Sequence, residues 1–185
     1  MKKTFQGLVA AAALAPTFAA AEGLSYNYLE GGLALYPNFD SQDYLGVVGR
    51  GSFALDEHFF AFGGLKYLED DIDLTAMHIG GGYRHGLDAK TDVWGGVTAE
   101  YQEYDHNHHH GDVDDTALGL RGGLRHQLNE KLELGASARV ITGDLDYVGL
   151  TGTGRYAIQE NVKLFAEADL YDSELGLLGG VTVEF

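Results

Sequence analysis

Residues 162–170 read "VKLFAEADL". Val162, Leu164, Ala166, Ala168 and Leu170 alternate with Lys163, Phe165, Glu167 and Asp169. A period of two sends successive side chains to opposite faces of a strand, so one face here is wholly apolar and the other carries charge. The same alternation runs through Leu45, Val47, Gly49, Gly51 and Phe53. It recurs in Leu118, Leu120, Gly122 and Leu124, and in Leu132, Leu134, Ala136, Ala138 and Val140. Gly- and Asp-rich breaks interrupt it, and no long helical period appears beyond the N-terminal segment. The pattern predicts ten strands, near residues 24–36, 43–55, 59–68, 74–85, 91–103, 115–126, 131–142, 147–156, 162–171 and 175–185. Each is about long enough to cross a bilayer as a tilted strand of roughly 9–11 residues. An even number fits a bacterial barrel. Should residues 143–158 form no strand, the count falls to eight.

Parity then places the charges. Of the 12 Lys and Arg, two lie in the N-terminal segment and Lys90 and Lys131 sit at turns. The other eight are Arg50, Lys66, Arg84, Arg121, Arg125, Arg139, Arg155 and Lys163, all on the face opposite the apolar one. Glu30, Glu100, Glu133, Glu167, Asp169 and Glu184 share that face, which predicts a nearly balanced charge network. A soluble sandwich or lipocalin would hide the apolar face and show the charges. A membrane barrel does the reverse. The apolar face carries Leu, Val, Ala and Gly in mid-strand, with Phe53, Phe59, Tyr83, Tyr156 and Phe185 at one predicted end, as an interfacial aromatic girdle would. The charged face mixes Gly with Arg and Glu, as a filled, tapering interior requires. These features predict an all-β, closed, antiparallel transmembrane barrel. Eight strands leave an interior just filled by side chains, and ten leave a little more room.

The ends agree with export. "MKKTFQGLVAAAALAPTFAAAEG" has a basic start at Lys2 and Lys3, an apolar run from Leu8 to Phe18, and Ala19-Ala20-Ala21 as a small-x-small cleavage pattern. Residues 1–21 are expected to be a cleaved secretory signal and residues 22–185 the barrel. The apolar run is too short for a helical span of roughly 20 residues. At the other end, "LGLLGGVTVEF" alternates and stops on an aromatic. Gly180-x-x-Val183-x-Phe185 is similar to the C-terminal signal read by the barrel-assembly machinery, with Val183 where an aromatic is usual and Leu178 where a polar residue is common. The chain has no cysteine, so no disulfide framework and no lipid-modified cysteine. The formal charge is −16, and loss of Lys2 and Lys3 with the signal would take it to about −18. That excludes nucleic acid as a partner. Asp40, Asp43, Glu69, Asp70, Asp71, Asp73, Glu103, Asp105, Asp112, Asp114, Asp115, Asp144, Asp146, Asp172 and Glu174 gather in alternate loops and their shoulders with no Lys or Arg. With a periplasmic N-terminus, these loops form an acidic outer rim.

The stretches "EGLSYNYLEGGL" (Glu22–Leu33) and "DEHFFAFGGLKYLEDDIDLTAMHIGGGYRHGLDAKTDVWGGVTAEYQEYD" (Asp56–Asp105) resemble a family of small proteobacterial outer-membrane β-barrels, linked in plant-associated members to quorum sensing and immune activation. The resemblance is clearest from Gly23 to Asp105. It implies an outer-membrane location, assembly by the barrel machinery, release on outer-membrane vesicles, and no catalytic residues.

The longest outer loop reads "DHNHHHGDVDD" (Asp105–Asp115) and lies outside that resemblance. One reading is capture of Zn, Cu or Ni by His106, His108, His109 and His110, with Asp112 folded back past Gly111. The other is a solvated loop whose histidines gain charge only below about pH 6.5. The acidic rim is also suited to Ca²⁺ or Mg²⁺ shared with lipopolysaccharide phosphates. "GGGYRHG" (Gly80–Gly86) lies in a strand and its turn and opens no helix, so it is no phosphate loop. His78, Ser137 and Glu100 share the inner face and would be the members of a hydrolase constellation. The sequence therefore predicts a monomeric, non-enzymatic outer-membrane barrel without a resident cofactor. Its acidic, His-bearing loops would serve envelope structure, adhesion or weak divalent-cation binding. A narrow channel for small solutes is the alternative.

Overall fold

The computed structural model describes residues 24–39, 42–70, 72–106, 113–171 and 174–185. The predicted signal peptide, residues 1–21, lies outside them. The ten strands are β1 (Tyr28–Phe39), β2 (Gln42–Ala54), β3 (Phe59–Glu69), β4 (Ile72–Asp88), β5 (Thr91–His106), β6 (Val113–Gln127), β7 (Leu132–Gly143), β8 (Tyr147–Gln159), β9 (Val162–Tyr171) and β10 (Glu174–Glu184). Each pairs antiparallel with its sequence neighbours. β1 also pairs with β10, from Tyr28 opposite Glu184 to Leu35 opposite Leu177, and closes the barrel. Residues 147–159 form a full strand, so the count is ten and not eight.

The outer wall carries the apolar set. Ile79 and Leu118 are each 71% exposed and Leu120 65%, with Leu33, Leu45, Val97, Leu150 and Leu177 in the same belt. Phe53, Phe59, Tyr83, Tyr156 and Phe185 ring one rim, which carries the short turns. Side chains close those turns. Asp56 accepts the backbone N–H groups of His58 and Phe59 through one oxygen, both at 2.7 Å, and these bonds hold its carboxyl below the usual range. Asn129 does the same for Lys131 and Leu132, both at 3.0 Å. At the opposite rim, Tyr67 and Tyr101 face outward and donate to Asp73 and Glu103 at 3.0 and 3.2 Å. An apolar ring below and a wet hydroxyl above is how tyrosine sits at a membrane interface.

Two boundaries differ from the sequence reading. The first strand begins at Tyr28, not at residue 24. Asn27 ends the wall there: its side chain accepts from the Ala54 N–H at 2.8 Å, and its carbonyl accepts from the Phe185 N–H at 3.1 Å. Residues 24–26 then turn into the lumen, where Leu24 and Tyr26 are buried. β4 and β5 run to 17 and 16 residues, longer than predicted. At roughly 3.3 Å per residue and a tilt of about 40°, their ends rise beyond a hydrocarbon band about 25 Å tall.

Inside, glycines make room for large neighbours. A Cβ on Gly176 would collide with the Tyr36 ring, and one on Gly149 with the Arg139 guanidinium. Gly152 faces outward with nothing within 4 Å. Gly176→Val is therefore expected to cost about 1–3 kcal/mol through overpacking. Gly152→Val should stay within about 0.5 kcal/mol. Urea midpoints of the refolded barrels check both.

Candidate functional site

The lumen is the site the fold builds. Its floor is the inward-turned N-terminal segment. Arg84 Nη1 donates to the Leu24 carbonyl at 3.1 Å, and Arg125 Nη1 to the Ser25 carbonyl at 2.7 Å. Both guanidinium groups also lie 4.6 Å from the centre of the Tyr26 ring, which packs on Phe60 at 4.7 Å. Phe62 and Trp94 complete this lower cluster. Toward the outer rim, two more clusters fill the barrel. One joins Ala34, Tyr36, Tyr44, Val48, Leu68, Leu74, Phe165 and Leu178, and the other Ala117, Ile141 and Leu145.

Between the clusters lies a belt of paired charges. Glu133 is the lower hub: Arg125 Nε donates to it at 2.8 Å, Arg155 Nη1 at 3.1 Å and Lys163 Nζ at 3.1 Å. Lys163 also reaches Glu184 at 2.7 Å. Glu30 takes Arg155 Nε at 2.7 Å, Thr182 at 2.8 Å and Arg50 Nη2 at 2.9 Å. Arg50 spans to Glu167 at 2.8 Å, and Thr153 donates to the same carboxylate at 2.9 Å. Higher up, Asp169 receives a bidentate pair from Arg139 at 2.7 and 3.1 Å. Thr151 adds a bond at 2.9 Å, Tyr36 another at 2.7 Å, and Lys66 an ion pair at 3.5 Å. Lys66 also contacts the Tyr36 hydroxyl. Glu100 holds Arg121 with two bonds at 2.9 Å and one at 3.1 Å, and contacts Thr98. Arg84 lies 3.9 Å from Asp92.

All eight strand cations thus have a carboxylate partner, on strands spread around the circumference. A buried charge needs such a partner, and the hydroxyls satisfy the remaining lone pairs. Asp92 belongs to this set but not to the six carboxylates read from the sequence. Its position in β5, on the parity of Glu100, is the signal that finds it. The sequence reading also missed the inward aromatics: Tyr36, Tyr44, Phe60, Phe62, Trp94, Tyr147, Phe165 and Tyr171 sit on the charged face by the same parity. Three of them lie against guanidinium groups: Arg139 is 5.5 Å from the Tyr147 ring and 5.8 Å from that of Tyr171, and Arg50 is 5.3 Å from that of Phe165.

The hydrolase constellation is not assembled. Glu100 is engaged by Arg121, and neither His78 nor Ser137 makes a side-chain hydrogen bond among the described residues. His106 ends β5, its backbone opposite Ile72, whereas His108, His109, His110 and Asp112 lie outside the described residues. No group of three or more His, Cys, Asp or Glu gathers for a metal among the described residues. Of the proposed assembly signal, Gly180 packs against the backbone of Gly31 and Gly32 in β1. Val183 and Phe185 project outward.

These features define the fold of a small outer-membrane β-barrel. No family model matches the chain. No curated protein matches it either. Solved structures do. A KdgM porin in complex with disordered oligogalacturonate is similar with a TM-score of 0.50 and 11% identity, over 85% of this chain and 99% of that one. Neisserial surface protein A gives 0.46 and 12%, over 87% and 98%. The N-terminal barrel domain of Pseudomonas aeruginosa OprF gives 0.46 and 14%, over 86% and 98%. At these identities the likeness is one of fold.

Removing the lower hub should be costly. Glu133→Gln leaves Arg125, Arg155 and Lys163 facing a neutral amide, with an expected loss of about 3–5 kcal/mol. Glu160→Gln, on an exposed turn, should change stability by less than about 0.5 kcal/mol. Equilibrium unfolding in urea distinguishes the two.

Proposed function

We propose that this chain is a non-enzymatic outer-membrane protein: a packed barrel that holds an acidic rim at the cell surface. One observation carries the reading. The lumen is occupied by ion pairs that join neighbouring strands or span up to four strands of the wall, and by aromatic clusters toward both ends, and such a filling suits a rigid support. Work at the surface then falls to the loops. Asp43, Glu69, Asp70, Asp144 and Asp146 are exposed along the outer rim. Carboxylates at that density favour divalent cations, among them Ca²⁺ or Mg²⁺ bridging to lipopolysaccharide phosphates, and would serve envelope cohesion or adhesion. Outer-membrane lipid and lipopolysaccharide are the surroundings proposed for the belt and rim, with the barrel-assembly machinery as the partner in biogenesis. A monomer suffices, because the closed sheet leaves no edge. Release on vesicles, and a place in the quorum-sensing and immunity-linked family, belong to the same proposal.

The second reading, a narrow channel, is favoured by one specific feature. The mid-lumen keeps a cavity of about 200 Å³ bordered by charged side chains. The two readings part in planar bilayers. The refolded protein is expected to give no steady conductance steps, and regular steps would overturn the packed-barrel reading in favour of a channel. The loop is tested separately by calorimetric Zn²⁺ titration of the full-length protein. A variant with His106, His108, His109 and His110 all changed to Ala is titrated alongside it. A saturable, near-stoichiometric event in the parent alone would assign metal capture to the loop. Equal unsaturating heats would leave it a solvated acidic display.

A further inference from the structure

The cavity in the mid-lumen does not meet the two signs of charge equally. Across the ion pairs that border it, the cation is the more exposed partner: Arg50 at 23% against Glu30 at 1%, Lys66 at 21% against Asp169 at 4%, and Arg121 at 16% against Glu100 at 7%. Side-chain length is the cause. A carboxylate ends close to the strand that carries it, whereas a guanidinium or ammonium on its longer stem reaches toward the barrel axis. The carboxylates are also tied to cations and hydroxyls where they stand. Glu30 takes Arg155, Thr182 and Arg50, and Asp169 takes Arg139, Thr151 and Tyr36. The network as a whole is close to neutral, yet the surface it turns to the cavity is positive.

Donors are left over on that surface. Arg121 spends Nε and Nη2 on Glu100, and its Nη1 makes no hydrogen bond among the described residues. The His78 imidazole and the Ser137 hydroxyl border the same cavity and make no side-chain hydrogen bond among the described residues. Arg50 and His78 are separated by Gly64, opposite Arg50 on β2 and His78 on β4. A Cβ at Gly64 would lie 2.7 Å from His78 Cε1 and 3.1 Å from Arg50 Cγ, so both side chains lean over a bare glycine toward shared space. The leading charges around His78 are the cations Arg121, Arg50, Lys66 and Arg139. A cavity of about 200 Å³ is well above what one water needs, roughly 10–15 Å³, and has room for a small polyatomic ion.

We propose that this chamber binds a small oxyanion of the phosphate type, held by Arg50, Lys66 and Arg121, with His78 and Ser137 at its edge. The Arg121 guanidinium and the Lys66 ammonium can each give such an ion a charge-assisted hydrogen bond, with the Arg50 charge beside them. This site is distinct from the acidic rim, so it stands or falls independently of cation binding or adhesion there.

The test is calorimetric titration of the refolded, full-length protein in neutral-detergent micelles with inorganic phosphate at low salt. Parent, Arg50→Gln, Ser137→Leu and a Lys90→Gln/Lys131→Gln double variant are compared, each shown to be folded by its heat-modifiable gel mobility. The expected result is one saturable site in the parent. Arg50→Gln should weaken it by about 10- to 100-fold, the loss of one cation beside the ion. Ser137→Leu, which intrudes on the chamber, should weaken it at least as much. The Lys90/Lys131 pair, on the turns, should leave it unchanged. Should Ser137→Leu fail to fold, Lys66→Met takes its place with the expectation set for Arg50→Gln. Absence of saturable binding in the parent overturns the proposal. So does binding that survives Arg50→Gln but is lost with Lys90 and Lys131, which would place phosphate on the turns as an adventitious ion only.

Discussion

An unpaired backbone amide in hydrocarbon costs several kcal/mol, and a sheet can cross a membrane only if it has no edge. The pairing of β1 with β10 removes the last edge, and the rest of the structure follows from that closure. Once the sheet is closed, its two faces become an outside and an inside of fixed size. The outside must match lipid, so Leu, Val and Ala face it along every strand. The inside holds only what side chains from ten strands can fill. Any charge placed there is shut in with its neighbours and has to be neutralised by them.

That requirement explains how the cations are distributed. Glu133 on β7 gathers Arg125 from β6, Arg155 from β8 and Lys163 from β9. Arg155 and Arg50 meet again at Glu30 on β1. These links bridge neighbouring strands or span several, and those to Glu30 tie together parts of the wall that are far apart in sequence. Their net contribution is conformational. A buried pair is near break-even against apolar packing, but a broken one is strongly unfavourable. Such a lumen penalises strand slippage, because moving one strand by a residue would send its charges into lipid and its leucines into the network.

The strand pattern was legible because period two is a purely local property. Lys163, Glu167 and Asp169 cannot share a face with Leu164 and Ala166, so "VKLFAEADL" separates lipid from lumen before any partner strand is known. The strand count also followed, since Gly and Asp breaks recur at the spacing of a membrane crossing. Alternation does not carry partner identity. Nothing local says that Arg50 meets Glu167 rather than Glu100, because that depends on closure and tilt. The turn of residues 24–26 into the lumen was hidden for a different reason. Leu24 and Tyr26 alternate with Ser25 just as a strand would. What stops the strand is a set of acceptor bonds to Ala54, Phe185, Arg84 and Arg125, all distant in sequence. The inward aromatics share the parity of the charges, but alternation does not say whether a ring on that face packs on a guanidinium or on another ring.

Closure also explains where the formal charge of the chain resides. Of 28 Asp and Glu, seven face the lumen opposite eight cations, so the barrel itself is almost neutral. The remaining carboxylates among the described residues, with Lys90 and Lys131, lie in turns and at the ends of strands. The acidic excess of the described residues is therefore a property of the ends of the barrel and not of its body. A charge carried on loops is free to vary without disturbing the wall, since loop residues neither face lipid nor enter the network. A charge inside is fixed by its partners. The two ends of that scale occur in one chain: Glu133 is tied to three cations, while Asp144 and Asp146 stand exposed at the outer rim.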